Sequence, residues 1–489
     1  MKKWGIWIIM LLGAFLRFCL ESQNMMFTAD ESYLAYIAQT IIKDFHIIWI
    51  GWSALGFDLY LGPFWIYIIS PFLLISRGDP LILGYLSSFL GIVTIYLIYW
   101  FGKNAVNYKV GLIAALLYAS LPLVILYDQK PYPPAIPLLS TLILISLYKT
   151  SKNKLWWIVF ATTWGFVFHL HLSLILSLFV AIYWFLSQKF KHKIRIFSYS
   201  LIVFLATVSP LIMFDYFHTW SNVTAPIRAA KMIGQQESEL FLSNHVNALF
   251  NSLGRVWYLT PGSQAGDEIV PNCKNAVAST TTESSLLMSV FGVCLYAWYM
   301  LSTTTWKQKS RRLVALLSLS FVLPFVFVPV INPIEYYLLG FFPLYFLMVG
   351  IIISNLKPKL QKLSYLIILV FIALGIGTIF RAKTDFGLAA KKNLVQKTMK
   401  EIGDETYYLS SEGGCQSVGG WRYLFTVYGK RPTSSKDDLS FGWLYEDELT
   451  GKKPKYKVLV IDTRSNYKVD ANYKKEIKAG GFSAFVYDY

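Results

Sequence analysis

Phe27-Thr28-Ala29-Asp30-Glu31-Ser32-Tyr33 decides how this chain is read. It directly follows the first apolar segment and opens a run in which Tyr33, Leu34, Ile37, Ala38, Ile41 and Ile42 recur at helical spacing. The spacing predicts an amphipathic helix over residues 29–43, lying along a membrane surface with one face in lipid. Asp30 and Glu31 then sit at its start, on the water boundary. Ionisable groups beside a membrane core are costly and tend to be kept where they do chemistry, which marks both carboxylates as candidate catalytic residues. A plainer reading stands beside that one. Thr28 to Glu31 is a Thr-x-x-Glu capping box, and Asp30 in the first turn suits the helix dipole. Capping accounts for Glu31 well and for Asp30 less specifically.

The composition places this helix in a membrane protein. The 489 residues are 55% hydrophobic and 17% aromatic, with a mean hydropathy of +0.47, too apolar for a soluble chain of this length. Met1-Lys2-Lys3 and the apolar run from Trp4 to Leu20 resemble a signal sequence, but Arg17 interrupts the end and no small-x-small cleavage site follows, so the run is expected to remain as a first span. The net charge of +17 is spread over short loops between apolar runs. That is the pattern of membrane orientation, not of a nucleic-acid-binding face. Cys19 and Cys294 lie in or beside apolar runs; Cys273 and Cys415 lie in polar segments and can pair if both face an oxidising side. No cysteine spacing is of the metal-binding kind.

Apolar runs of spanning length fall near 4–20, 81–101, 110–127, 132–148, 155–169, 172–187, 195–217, 285–301, 313–330, 334–353 and 363–380, giving about eleven spans. A further run, Leu59 to Ile75, is broken by Gly62-Pro63 and Pro71. Reading it as re-entrant or surface-lying lets the basic loops 102–109, 149–154 and 188–195 all face the cytoplasm. The outer side then carries the loops 21–80 and 218–284, the turn Asp128-Gln129-Lys130-Pro131, the His169-Leu170-His171 turn, the Asn332-Pro333 turn and the C-terminal tail. In the 218–284 loop a helix is expected over Ala225 to Gly234 and a turn-rich stretch over Pro261 to Thr282.

From about residue 385 the composition becomes that of a soluble domain. Helices are expected near 388–402, 420–428 and 469–478, and strands at Thr406 to Ser410, Tyr456 to Asp462 and Phe482 to Tyr487. This predicts a small α/β domain, 385–489, behind a transmembrane domain, 1–384. Gly413-Gly414 and Gly419-Gly420 lack the Lys and Ser/Thr of a nucleotide loop.

A surface helix carrying Asp30-Glu31, set between a first span and the Gly62-Pro63 segment, resembles the GT-C glycosyltransferases. More narrowly it looks like the branch that holds protein O-mannosyltransferases and the aminoarabinose transferase of lipid A. The resemblance covers residues 1–350 in order of elements, with the basic turn Gly102-Lys103 and the long outer loop in place. It implies a polytopic α-helical GT-C fold with surface helices, and transfer of a monosaccharide from a polyprenyl phosphate to a lipid, glycan or protein hydroxyl outside the cytoplasmic membrane. By that resemblance Asp30 is the general base, while Glu31 positions the acceptor or helps hold a divalent cation, the one cofactor in view.

The leaving group is a lipid phosphate, so outward cations are candidate partners: Lys130, Arg228 and Lys231, with Arg77 and Arg17 near the same side. Arg228 and Lys231 stand one helical turn apart, which lets both point at one anion. Tyr33, Asp58, His169 and His171 complete the expected substrate-binding set, although an interfacial structural role is the stronger reading of the two histidines. The chain departs from the aminoarabinose branch before Pro63, where Leu61-Gly62 replace an acidic-basic pair, and after Lys130, where Pro131-Tyr132-Pro133-Pro134 stand in place of an Asp. A transporter or flippase of lipid-linked sugars is the alternative. It calls for paired broken helices in two similar halves, and the halves here differ.

Overall fold

The computed structural model describes residues 4–54, 59–131, 135–233, 241–259, 284–328, 334–381, 385–412, 419–437, 453–465 and 467–489. Asp58, Cys273, Cys415, Gly413-Gly414, the Pro261 to Thr282 stretch and the Asn332-Pro333 turn lie outside the described residues. The chain begins with α1 (Gly5–Phe18), α2 (Glu21–Asn24) and α3 (Ala29–Asp44), then a two-strand hairpin, β1 (Ser53–Ala54) and β2 (Leu59–Tyr60), and α4 (Phe64–Ile75). The bundle continues with α5 (Leu81–Ala105), α6 (Tyr108–Ser120), α7 (Pro122–Asp128), α8 (Ile136–Thr150), α9 (Trp156–Gly165), α10 (Val167–Leu170) and α11 (Ser177–Ser187). Next come α12 (Lys193–Thr207), α13 (Ser209–Phe217), α14 (Ser221–Ile233), α15 (Phe241–Arg255), α16 (Leu286–Leu301), α17 (Thr303–Lys307), α18 (Lys309–Phe327), α19 (Phe342–Ser354) and α20 (Pro358–Arg381). The C-terminal part holds α21 (Leu388–Ile402), β3 (Tyr407–Glu412), α22 (Trp421–Tyr428), β4 (Ser434–Ser435), β5 (Tyr456–Asp462), β6 (Lys475–Ala479) and β7 (Phe482–Asp488).

Among the described residues three helices, α5, α18 and α20, are long and apolar enough to cross a membrane, or up to five if the bent pairs α6–α7 and α12–α13 each count as one. The other segments expected to span fall on shorter apolar helices. α4, in the Gly62-Pro63 segment, is one of these and packs against α3 and α5.

Proline sets the sharpest bend near the site. Leu121, ahead of Pro122, is extended, and α6 and α7 meet at 67°. Pro122 has no N–H to give to the carbonyl of Tyr118, four residues back in the preceding helix. The Arg17 guanidinium takes that carbonyl at 3.0 Å and the Ala119 carbonyl at 3.2 Å. It also pairs with the Asp128 carboxylate at 2.7 Å, with both side chains buried. Tyr118 Oη donates to the other Asp128 oxygen at 3.1 Å. Space for this cluster comes from α5: a Cβ on Gly91 would stand 2.4 Å from Asp128 Oδ2, and one on Gly84 2.5 Å from Glu21 Oε1. Small residues at 84, 87, 88 and 91 thus give α5 a face that approaches α1 and α7 closely.

The C-terminal sheet has the order β4-β3-β5-β7-β6, with β3 parallel to β4 and β5, and β7 antiparallel to β5 and β6. α21 packs on β6, β7 and α22. The helix expected over 469–478 is not there. Lys475–Ala479 is strand β6, joined to β7 by the two-residue turn Gly480-Gly481, with Gly480 at φ +55°. Glycine at a positive φ fits the tight hairpin, and Ile477 and Ala479 alternate inward with a period of two.

Breaking the Arg17–Asp128 pair from one side strands a charge in an apolar interior, which typically costs about 3–5 kcal/mol. Arg17→Leu is therefore expected to lower the thermal midpoint of the detergent-purified chain markedly. Adding Asp128→Leu should recover most of the loss, and two additive losses would contradict this account.

Candidate active site

At the start of α3 the capping box forms as the sequence predicts. Thr28 is extended, and Glu31 Oε2 accepts from the Thr28 backbone N–H at 2.8 Å and from its hydroxyl at 2.6 Å. Glu31 is 5% exposed and serves as the cap. Asp30 stands beside it, half-buried in the first turn, and takes no part in the box. The apolar face of α3 does not lie in lipid. Tyr33, Leu34, Ile37 and Ala38 are buried in the protein core, and α3 packs on α4. A covering helix of the same chain replaces the lipid that the amphipathic pattern suggests, because the pattern reports burial without naming what buries it.

The hairpin closes over this face. Tyr33 meets Trp52 edge to face at 4.8 Å. Burial, then the nearby Tyr60, push the Tyr33 phenol up to about 12, so it stays protonated as a donor. The hairpin backbone pairs Gly51 N–H with Leu61 O at 2.6 Å, and Gly62 N–H bonds to Phe168 O at 2.8 Å. A Cβ on Gly62 would stand 2.0 Å from His169 Nδ1. His169 Nε2 meets Thr207 O at 2.8 Å, which requires the Nε2–H tautomer. His169 therefore joins the link between β2 and α4 to the end of α12. His171 is different: its Nδ1 accepts from the Ser173 backbone N–H at 3.2 Å, and its ring packs on Tyr336 and Tyr337, each at 5.6 Å. Burial pushes its imidazole down to about 4. The two histidines act on separate partners. Among the described residues no three His, Cys, Asp or Glu side chains converge on a point that could hold a metal ion.

Of the expected cations, Lys130, like Arg17, is set into the interior. It is 7% exposed, its carbonyl accepts from Ser87 Oγ at 2.6 Å, and its ammonium stands 5.8 Å from the centre of the Tyr127 ring. Tyr127 Oη donates to Glu335 Oε2 at 3.0 Å, and Glu335 pairs with Arg255 at 2.8 Å. A cleft lined by Ser87, Thr94, Tyr127, Asp128, Pro137 and Leu339 adjoins Lys130. Gln129 Nε2 donates to Arg17 O at 2.6 Å and Asn24 Nδ2 reaches Gln129 Oε1 at 3.4 Å, which ties this turn to α2, just before α3.

The other cations are placed elsewhere. Arg17 is consumed by Asp128 and three carbonyls. Arg228 folds back along its own helix, to Thr224 Oγ1 at 2.6 Å and Ser221 O at 2.9 Å, while Lys231 is exposed, so α14 does not present the two as a pair. Arg77 is exposed in the turn before α5. Sequence reasoning missed Arg255, Glu335 and Tyr127. Their one signal was an acidic residue, Glu335, at the mouth of an apolar run with a basic residue near the end of an outer-loop helix.

These features define a class: a helical bundle with apolar spans, a capped acidic helix at one end and an α/β unit packed on that end. No family model matches the sequence, and no curated protein matches it either. The likeness lies in structure. ArnT from Cupriavidus metallidurans bound to undecaprenyl phosphate superposes with a TM-score of 0.59 at 11% identity, over 99% of this chain and 98% of that one. Its apo state gives a TM-score of 0.61 at 10% identity, over 98% and 97%. The Archaeoglobus fulgidus oligosaccharyltransferase in complex with Zn and sulfate gives 0.52 at 14% identity, over 93% of this chain and 67% of that one. The chain has the GT-C fold.

The folded His171 titrates at about 4 against an ordinary 6.5. Between these values the unfolded chain binds the proton and the folded chain does not, so His171 removes stability as pH falls from about 6.5 to about 4 and has no effect above. His171→Asn keeps an acceptor for Ser173 and removes the titration. Melting curves at pH 7 and 4.5 should show a smaller acid loss in that variant; an unchanged loss would assign the effect to other groups.

Proposed function

We propose that this chain is an integral membrane glycosyltransferase that moves a monosaccharide from a polyprenyl phosphate to a hydroxyl of a lipid, glycan or protein, at the outer face of the cytoplasmic membrane. The observation that carries this reading is the GT-C fold over nearly the whole chain, shared with an ArnT structure bound to undecaprenyl phosphate, together with an acidic pair in which the cap is made by Glu31 and not by Asp30.

In this reading the acceptor hydroxyl attacks the anomeric carbon and its proton passes to the Asp30 carboxylate. The bond from the anomeric carbon to the phosphate oxygen breaks, and its electron pair leaves with the polyprenyl phosphate. Direct displacement inverts the anomeric centre. Negative charge grows on the departing phosphate, and a buried ammonium meets it more strongly than one in water. Lys130 is that group, with Arg255 held behind Tyr127 and Glu335. Glu31 holds the first turn of α3, and Tyr33 with Trp52 offers an aromatic wall with a phenolic donor. His169 and His171 act on the scaffold, and no step is routed through a metal.

The test is transfer of label from a panel of radiolabelled polyprenyl-phosphate sugars in membranes holding equal amounts of each variant. Asp30→Asn keeps size but cannot take the proton, and transfer should fall by about a hundredfold or more. Equal transfer would reduce Asp30 to a first-turn charge. Lys130→Met should cut kcat/KM for the donor while leaving the acceptor KM in place; an unchanged donor response would remove Lys130 from the phosphate site.

A further inference from the structure

The C-terminal α/β unit meets the rest of the chain at one place that matters for chemistry. Lys391 lies on the inner face of α21 and is fully buried. A packing role alone would be filled by Leu or Met without the cost of desolvating an ammonium. Lys391 Nζ donates instead to the Phe27 carbonyl at 2.7 Å and to the Gly419 carbonyl at 2.7 Å. It stands over the rings of Trp421 at 4.8 Å and Phe482 at 5.4 Å. Phe27 immediately precedes Thr28, the N-cap of α3, so the lysine joins the entry of the Asp30 helix to the turn before α22.

Glycine geometry shows how closely that turn is applied. A Cβ on Gly419 would stand 2.6 Å from Ala29 N, and one on Gly420, which has φ +83°, would stand 2.9 Å from Thr28 O. The Phe27 ring packs on Tyr423 at 5.5 Å, Leu388 N–H bonds to Met25 O at 2.9 Å, and Gln39 Nε2 donates to Tyr423 Oη at 3.0 Å. Contacts from Leu388, Lys391, Gly419, Gly420 and Tyr423 thus land on Met25 and Phe27 to Ala29, just ahead of Asp30, and on Gln39 in the further half of its helix.

We propose that the C-terminal unit is a working part of the active site, and that Lys391 is a positioning residue that fixes the first turn of α3, and with it the Asp30 carboxylate, in reacting geometry. This rests on the reading of Asp30 as general base. A base loses its rate advantage when its reach to the acceptor proton is off by a fraction of an ångström to an ångström. The lysine therefore acts on kcat without touching substrate.

The experiment uses the full chain in lipid nanodiscs and two variants that attack the contact from opposite sides. Lys391→Met keeps the stem and removes the ammonium; Gly419→Ala keeps the lysine and wedges the turn away from Ala29. Amide hydrogen exchange over residues 28–33 should speed up by about tenfold or more in each, with α5 and α19 unchanged. In the transfer assay kcat should fall by about 10–100-fold with donor KM within about twofold. Lys391→Met made on top of Asp30→Asn should cost nothing further, because it acts through the carboxylate already removed. Unchanged exchange at 28–33 overturns the inference whatever the activity, as does a loss that is equally large with and without Asp30. Full transfer by Asp30→Asn alone sinks the general-base reading instead, and leaves the exchange result to judge the contact between Lys391 and α3.

Discussion

Much of this structure depends on one buried charge pair at a proline break. Pro122 ends α6 and leaves the Tyr118 carbonyl without a helical donor; Arg17, from the end of α1, supplies that donor and pairs with Asp128 at the end of α7. Ion pairs removed from water hold only where every remaining donor and acceptor is met, and here carbonyls from α1 and α6 complete the guanidinium. The small residues of α5 make room for the cluster. Four helices are locked together by groups that each become costly if the others move. The turn that follows Asp128 carries Lys130, and Gln129 in that turn is bonded back to Arg17 and α2, so the pair also sets where the interior lysine stands relative to the Asp30 helix.

The second constraint is the continuity of packing across residue 385. The composition changes there, from apolar spans to a soluble α/β pattern, yet one hydrophobic cluster contains Phe27 and Leu34 together with Leu394, Tyr407, Trp421 and Val458. Around that apolar contact run specific polar ties: Tyr423 Oη donates to Gly78 O at 2.8 Å, Tyr428 Oη to Asp79 Oδ1 at 2.7 Å, and Lys392 pairs with Asp79 at 3.3 Å. Lys392 and Asp79 are partly exposed, and such a pair contributes about 1 kcal/mol or less, so its part is orientation more than stability. The C-terminal unit is bound to α3 and to the connection between α4 and α5, the layer in which the acidic pair lies.

Several elements were legible in the sequence because their signals are local. The Thr28-x-x-Glu31 box fixed the start of α3, and β5 runs from Tyr456 to Asp462 as the apolar run indicates. α14 starts four residues earlier than the expected Ala225 because Asp215, from the preceding helix, caps it through the Asn222 and Val223 N–H groups. The sequence of β6 suggests a helix because a short run of Lys, Glu, Ile and Ala suits either period, and the Gly480-Gly481 turn with its partner strand decides between them. The acidic pair was visible, but not its division of labour between cap and candidate base.

The sequence by itself determined a membrane chain of many apolar helices, an acidic helix start behind the first of them, and an α/β tail, because hydropathy, capping chemistry and periodicity act within a few residues. Tertiary structure decided which charges are spent and which are offered. Arg17 and Lys130 look alike as outward cations in the sequence; one is saturated by Asp128 and carbonyls about a hundred residues away in the chain, and the other is buried with its ammonium over the Tyr127 ring. The same holds for Lys391, one of many lysines in a basic tail until folding places it against Phe27. Long-range partners settle the electrostatics of a buried group, and those partners are a property of the fold.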